Sequence, residues 1–221
     1  QTRLVSRPLL TRIMISHKHK FIFVHIPKCA GTSIEKALLE HEGLDIDLND
    51  KFYLDSMPEL IKKEYLLDYP PHSYSQHFFL NQYEQSLASN YYCFAFVRNP
   101  WDLMVSEYFY ILKNYEINLS FEEFIKTGDN LKGVKGFRWF VERGHHLLPQ
   151  VNFLSENIDF IGRFENLQDD FDTICDNIKI SRIDLPHYNS TNRNHYTTYY
   201  NSSTRETVLK RYKKDIEYFN Y

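Results

Sequence analysis

The chain has 221 residues, of which 43% are hydrophobic and 16% aromatic, enough for a domain whose core needs no disulfides. Its formal net charge of −3 argues against binding nucleic acid through bulk charge, and no run approaches the ~20 apolar residues of a membrane span. The three cysteines have no metal-ligand spacing, so they predict no metal site and indicate a reducing compartment.

Short apolar runs alternate with segments of helical periodicity along the chain. Strands are predicted at 20–26, 92–97 and 158–162. Helices are predicted at 32–41, near 56–66, near 79–88, and at 101–114, 120–126, 131–143, 165–178 and 203–218. This alternation predicts an α/β fold of three layers, with a central parallel sheet covered by helices on both faces. Residues 14–221 are predicted to form this single domain, and residues 1–13 are interpreted as flexible or artificially attached.

The first strand runs into a loop with the features of a phosphate-binding turn. Residues 25–33 read HIPKCAGTS. Lys28 offers a point charge, Thr32 and Ser33 offer hydroxyl donors, and the helix start offers backbone N–H groups. The loop departs from the G-x-x-x-x-G-K-[ST] pattern of nucleotide triphosphatases, because Lys28 stands three positions before Gly31. Thr32 and Ser33 have an alternative role as helix N-caps.

A second segment, residues 93–108, reads CFAFVRNPWDLMVSEY and places Arg98 between a buried strand and a helix. Pro100 suits the first turn of that helix. Arg98 and Ser106 are eight residues apart, a spacing at which both would reach one phosphate. The alternative for Arg98 is an ion pair with Asp102, and the alternative for Ser106 is a small residue on a packed helix face.

These two segments resemble the sulfotransferases that use 3′-phosphoadenosine 5′-phosphosulfate (PAPS), and most closely their carbohydrate branch. Weaker similarities lie in His146-x-x-Pro149-Gln150, in residues 160–165 and in the tail through Asp215. The resemblance implies a P-loop-like fold, PAPS as donor, PAP as product and no metal. It also implies that the first loop binds the 5′-phosphosulfate and that Arg98 and Ser106 bind the 3′-phosphate. The loop residues concerned are Lys28, Cys29, Ala30, Gly31, Thr32 and Ser33.

Catalysis by such an enzyme requires a positive charge at the leaving group and a base at the acceptor hydroxyl. Lys28 is predicted to contact the oxygen that bridges phosphate and sulfate, whereas His25 is expected to orient the loop. We predict His72 as the base, with His77 as the alternative, and expect His146 to line the acceptor site. The polar segment 189–200 is either a solvated loop or a lid that brings Arg193 to the 3′-phosphate.

Two other classes of function stay open at this point: a P-loop kinase, and a non-catalytic module that binds PAP or another nucleotide. The missing G-K-[ST] disfavours the kinase, and intact Lys28, Arg98 and Ser106 disfavour the module. The acceptor is expected to be a hydroxyl of a polysaccharide or glycoconjugate, and basic residues within 62–77 and 130–150 suit an anionic one. We expect a cytoplasmic location in a bacterium, or the Golgi lumen with a membrane anchor outside this chain. The sequence indicates neither the acceptor sugar nor the oligomeric state.

Overall fold

The computed structural model describes residues 12–43, 65–67, 90–114, 118–127, 144–154, 156–186 and 193–221. The strands are β1 (Arg12–Ser16), β2 (Phe21–His25), β3 (Tyr65–Leu67), β4 (Tyr92–Val97) and β5 (Phe160–Arg163). The helices are α1 (Gly31–His41), α2 (Pro100–Asn114), α3 (Phe121–Thr127), α4 (Leu167–Asn177), α5 (Ser202–Arg211) and α6 (Lys213–Phe219). Short 3₁₀ turns lie at Gly144–Leu147, Gln150–Phe153, Phe164–Asn166 and Tyr196–Tyr199.

The chain forms two compact units. The first comprises Gln1–Val97 with Phe153–Tyr188, and it carries the sheet and helices α1 and α4. The second comprises Arg98–Asn152 with Asn189–Tyr221, and it carries helices α2, α3, α5 and α6. The prediction that one domain spans residues 14–221 therefore stays a prediction.

The sheet of the first unit has the strand order β3-β1-β2-β4-β5. β2, β4 and β5 run parallel, which confirms the predicted α/β class and its parallel core. β1 is an addition to that prediction, and it pairs antiparallel with both β2 and β3. Its residues Arg12 and Ile13 fall within the segment that the sequence suggested to be flexible. The turn that follows β1 uses Lys20 in the left-handed region, with φ 54°, and brings the chain back as β2.

The centre of the sheet is aromatic. Phe21 and Phe23 on β2 and Phe94 and Phe96 on β4 are each at most 1% exposed. The Phe23 and Phe94 rings stack with their centroids 5.1 Å apart. Strands buried on both faces read as continuous apolar runs, which is why β2 and β4 were predictable from the sequence. A packed centre of this kind holds the carboxyl ends of β2 and β4 in fixed register.

Other predictions differ from the structure at helix ends. Tyr65 and Leu66, predicted as the end of a helix, belong to β3, where pairing with β1 overrides local propensity. The predicted helix 203–218 is divided into α5 and α6 at Tyr212, whose backbone leaves the helical region at φ −106° and ψ 23°. The rest of the helix near 56–66 and the helices predicted near 79–88 and at 131–143 lie outside the described residues.

A capping box formed by Ser120 and Glu123 begins α3. The backbone N–H and the hydroxyl of Ser120 donate to Glu123 Oε2 at 2.7 and 2.6 Å, and Glu123 N–H donates back to Ser120 Oγ at 3.2 Å. These hydrogen bonds hold the pKa of Glu123 below its usual value. Such reciprocal bonds satisfy donors at the helix start and fix where α3 begins.

Candidate active site

The loop between β2 and α1 holds two non-glycine residues in the left-handed region. Lys28 and Ala30 both have φ 64°, and between them Cys29 N–H donates to Ile26 O at 3.4 Å. Non-glycine residues adopt this conformation at an energetic cost, so such residues cluster where a loop must present its backbone to a ligand. Successive N–H groups in turns of this kind form concave sites for anions.

The start of α1 follows directly and presents positive backbone groups. The helix begins at Gly31 after Ala30, so Thr32 and Ser33 lie inside its first turn, and the alternative that they are N-caps is wrong. Ser33 N–H and Ile34 N–H donate to Ala30 O at 2.9 and 3.2 Å. The first N–H groups of a helix have no intrahelical acceptor, and the first turn here contains no acidic residue. This end of α1 therefore suits an anion, with the half-buried Lys28 in the same loop.

His25 and Glu35 fix the position of the loop. His25 Nδ1 lies 2.9 Å from Glu35 Oε1, and Glu35 on α1 is 2% exposed. A Cβ atom added to Gly31 would lie 2.2 Å from His25 Cδ2 and 2.3 Å from Nε2, so only glycine fits against this ring. These contacts of the His25 ring are consistent with its expected role in orienting the loop. The role of Glu35 was not predicted from the sequence. The buried Cys29 places its thiol 3.5 Å from Pro27 O, inside the loop.

In the second unit, one carboxylate joins two predicted binding residues. Arg98 Nε and Nη2 lie 2.8 and 2.7 Å from Asp102 Oδ2, and Arg193 Nη2 lies 2.6 Å from Asp102 Oδ1. The side chains of Arg98 and Arg193 are 7% and 12% exposed, and that of Asp102 is 16% exposed. The ion pair named as the alternative role of Arg98 thus exists, and it draws Arg193 into the same cluster. Two guanidinium groups of the predicted 3′-phosphate site therefore contact the same carboxylate.

The start of α2 explains how the second segment folds. Asn99 Oδ1 accepts from the N–H groups of Trp101 and Asp102 at 3.0 and 3.4 Å, so the asparagine caps the helix and Pro100 occupies its first position. Ser106 follows Asp102 by one turn and therefore lies on the same helix face. Ser106 is half-buried there.

A buried network holds the backbone of Arg98. Gln150 Oε1 accepts from Arg98 N–H at 2.8 Å, and Gln150 Nε2 donates to Arg98 O at 2.8 Å. Asp215 on α6 is fully buried and accepts from the N–H groups of Gln150 and Val151 at 2.8 and 3.0 Å. Burial raises the pKa of Asp215, and these hydrogen bonds oppose that rise. The sequence signal for this network was the H-x-x-P-Q segment together with the acidic residue in the tail.

Three histidines are predicted to act at the acceptor: His72, His77 and His146. His72 and His77 lie outside the described residues, so the base stays a prediction. His146 lies four residues before Gln150, and its Nδ1 is 3.1 Å from both carboxylate oxygens of the fully buried Glu107. Such a carboxylate fixes the orientation of the imidazole ring.

Residues 193–200 contact α2 at two points. Arg193 contacts Asp102, and Tyr200 donates its hydroxyl to Trp101 O at 2.8 Å. Burial raises the pKa of the Tyr200 phenol, which therefore stays protonated as a donor. Trp101 in turn donates its indole N–H to Arg205 O at 3.3 Å, so the aromatic residue packs against α5.

Within the described part of the chain, no group of three or more His, Cys, Asp or Glu side chains is placed to hold a metal ion. None of the helices described is both long and apolar enough to cross a membrane.

The fold belongs to the α/β class, and comparison with known proteins gives the family. The model of the sulfotransferase family matches residues 11–221, and this chain belongs to that family.

Named relatives lie at a distance. Carbohydrate sulfotransferase 10 from Gallus gallus is 23% identical, over 98% of this chain and 68% of that protein. Carbohydrate sulfotransferase 14 from Danio rerio is 23% identical, over 93% of this chain and 56% of that protein. An uncharacterized protein from Archaeoglobus fulgidus is 32% identical, over 48% of this chain and 78% of that protein.

One solved structure is also similar to this chain. It is the crystal structure of a sulfotransferase from Alicyclobacillus acidocaldarius, at 16% identity and a TM-score of 0.47. The match covers 88% of this chain and 92% of that one.

Proposed function

We propose that this protein transfers a sulfuryl group from PAPS to a hydroxyl of a carbohydrate and releases PAP. The observation that carries the proposal is the β2–α1 loop, in which Lys28 and Ala30 are held in the left-handed region directly before the helix start. Membership of the sulfotransferase family supports the reaction class. The carbohydrate acceptor rests on the names of relatives that are 23% identical.

Each half of the donor would find a charged partner set. The loop from Lys28 to Ser33 would bind the 5′-phosphosulfate through backbone N–H groups, the lysine and the two hydroxyls. Arg98, Ser106 and Arg193 would bind the 3′-phosphate, because guanidinium groups match phosphate oxygens in charge and geometry.

The reaction needs in-line attack and neutralisation of the leaving group. PAPS supplies the activated sulfuryl group. The bond from the acceptor oxygen to sulfur forms while the bond from sulfur to the bridging oxygen breaks, and both electrons of that bond leave with PAP. Lys28 stabilises the negative charge that develops on the bridging oxygen. We assign the acceptor proton to His72, with His77 as the alternative, and His146 to the acceptor site.

The kinase alternative is disfavoured, since the chain belongs to the sulfotransferase family and lacks the G-K-[ST] pattern. A non-catalytic PAP-binding module differs from the proposal only in turnover. Turnover therefore has to be measured beside binding.

The test combines calorimetry with PAP, in the absence of divalent metal, and release of PAP from PAPS in the presence of a panel of neutral and anionic glycans. Wild type is expected to bind PAP and to turn over with at least one glycan. Lys28→Ala is expected to lose turnover by a factor of about 100 or more, the loss typical of a donor at a developing charge. Lys210→Ala, a lysine 74% exposed on α5, is the matched control and should behave as wild type.

Three outcomes are informative. PAP binding without turnover on any glycan would favour the binding module. Phosphoryl transfer from ATP with Mg²⁺, without PAP binding, would favour the kinase hypothesis. Unchanged turnover in Lys28→Ala would remove the lysine from the mechanism.

A further inference from the structure

A fully buried carboxylate, that of Glu107, lies on the buried face of α2. Its neighbours one turn away on that face are apolar and at most 1% exposed: Leu103, Met104 and Ile111. Glu107 itself is 0% exposed, and its hydrogen-bond partner among the described residues is His146. A carboxylate in apolar surroundings is costly unless it is paired. The place of Glu107 in the fold therefore depends on this histidine.

The backbone beside His146 is held by a different contact. His146 lies in the 3₁₀ turn Gly144–Leu147, and Leu147 O accepts from the hydroxyl of the fully buried Tyr212 at 2.9 Å. The side chain of His146 is 11% exposed. A substitution at Glu107 therefore acts on the imidazole ring, while the contact of Tyr212 with the turn is kept.

The geometry of the contact indicates which atom carries the shared proton. His146 Nδ1 lies 3.1 Å from both Oε1 and Oε2 of Glu107. An ionised carboxylate only accepts hydrogen bonds, and an N–H group directed between its two oxygens lies at similar distances from both, whereas a protonated carboxyl group would donate from one oxygen alone. The proton therefore belongs to Nδ1. In a neutral imidazole the other nitrogen, Nε2, then carries the lone pair.

We propose that Glu107 is a positioning residue of the acceptor site: it fixes the tautomer of neutral His146, so that Nε2 of this ring accepts a hydrogen bond from a sugar hydroxyl. The inference rests on the proposed function, which assigns His146 to the acceptor site. Any contact that Nε2 makes in the free protein would be exchanged for this hydroxyl. Because Glu107 is fully buried, it acts on the acceptor only through His146. The group recognised there is a hydrogen-bond donor, which excludes a carboxylate.

The first measurement determines the tautomer by NMR, without any glycan. Long-range proton–nitrogen correlation spectra distinguish protonated from unprotonated imidazole nitrogens, and His146→Asn identifies the signals of His146 by their loss. Spectra of wild type are recorded at increasing pH until the ring is neutral, and they should show the proton on Nδ1. In Glu107→Gln the share of rings with the proton on Nε2 should rise, because an amide donates as well as accepts and no longer selects one tautomer.

The second measurement separates positioning from direct contact with the acceptor. His146→Asn keeps an amide N–H for Glu107 and lacks Nε2. Steady-state rates are measured with saturating PAPS and the glycan that wild type turns over fastest, for wild type, Glu107→Gln, His146→Asn and the double variant. Glu42→Gln is the matched control, since Glu42 Oε1 lies 2.5 Å from His19 Nε2 in a glutamate–histidine pair of the other unit.

Glu107→Gln is expected to raise the KM for the glycan about three- to tenfold, the range of one neutral hydrogen bond, with kcat and PAP affinity as in wild type. His146→Asn should raise the KM at least as much. The double variant should match His146→Asn, because Glu107 acts through the lone pair that this substitution removes. A merely structural role of Glu107 would lower the Tm and leave the tautomer and the KM unchanged.

The inference is overturned if the neutral wild-type ring carries its proton on Nε2, if Glu107→Gln changes the KM no more than Glu42→Gln does, or if the two substitutions are additive. A fall in kcat at unchanged KM also overturns it, because His146 would then act on the reacting atoms. Should Glu107→Gln fail to fold, the tautomer of the wild-type ring decides. Absence of turnover with every glycan would overturn the proposed function, whereas a proton on Nε2 overturns this inference alone.

Discussion

Gly31→Ala tests whether close packing of the His25 ring sets the geometry of the β2–α1 loop, which we propose binds the 5′-phosphosulfate. The new Cβ would lie 2.2 to 2.5 Å from three atoms of that ring, where ordinary contact begins at 3.4 Å. The ring has no easy escape, because Glu35 holds Nδ1 at 2.9 Å and the Phe23 ring stacks at a centroid distance of 6.0 Å. Either the His25–Glu35 contact breaks, or the start of α1 moves by about 1 Å.

Both responses destabilise the protein. An overpacked core site costs about 1–3 kcal/mol, and replacing glycine by alanine in a helix returns at most about 1 kcal/mol. A net loss of about 1–2 kcal/mol lowers the Tm by about 2–8 °C in a chain of this size. PAP affinity should fall about tenfold or more, because N–H groups displaced by about 1 Å no longer meet the anion at hydrogen-bond distance.

Thermal denaturation and PAP calorimetry measure the two effects of Gly31→Ala. Gly43→Ala is the matched control: Gly43 has φ 77°, and no atom lies within 4 Å of its added Cβ. That variant places alanine in the left-handed region, at about 1–2 kcal/mol, but at the far end of α1. It should lose Tm and keep PAP affinity. If Gly31→Ala keeps both wild-type values, or loses only Tm as the control does, the role assigned to the His25 contact is wrong.

Three further predictions concern groups outside this contact. Burial raises the folded-state pKa of Asp215 above its ordinary 3.8. The contribution of this carboxyl to stability is therefore present in acid and is lost as pH rises through the raised pKa. Urea denaturation across this pH range should show the free energy of unfolding falling with pH in wild type, and this fall should be absent in Asp215→Asn. Burial raises the pKa of Cys175 to about 11, so a thiol reagent at about pH 8 should label it only after denaturation, and rapid labelling of native protein would contradict its burial. Ser120→Ala removes the hydroxyl donor that lowers the pKa of Glu123 most and keeps the backbone N–H donor. NMR titration should therefore find that pKa raised part of the way toward its ordinary value, with PAP binding unchanged.

The features that sequence predicted are those encoded locally. β2 and β4 are continuous apolar runs, and Lys28 to Ser33 and Arg98 follow them directly, so strand, loop and helix start could be read from one stretch each. The capping residue Asn99 was predictable in principle, since an asparagine directly before a proline is typical of a helix start. Prediction and structure therefore agree on where the two candidate loops begin.

The features that sequence missed depend on distant partners. β1 is a short run that becomes a strand by pairing with β2 and β3, and no local pattern reveals those partners. The contacts of Asp102 with Arg193 and of Gln150 with Asp215 span 91 and 65 residues. From the sequence, Arg98 had two alternative roles, as a partner in an ion pair or as a phosphate ligand. The structure shows the ion pair with Asp102, and the phosphate role of Arg98 stays a prediction.

Two independent sets of contacts hold Arg98, one at its backbone and one at its guanidinium group. A fully buried Asp215 is weak evidence for stability, because removing a carboxylate from water has a large energetic penalty that hydrogen bonds only offset. Its hydrogen bonds and those of Gln150 lead to the N–H and C=O of Arg98, so they fix the backbone. Asp102 fixes the guanidinium separately. A side chain constrained at both ends loses little entropy on binding an anion, and such preorganisation is worth most where charge must be recognised at a fixed place.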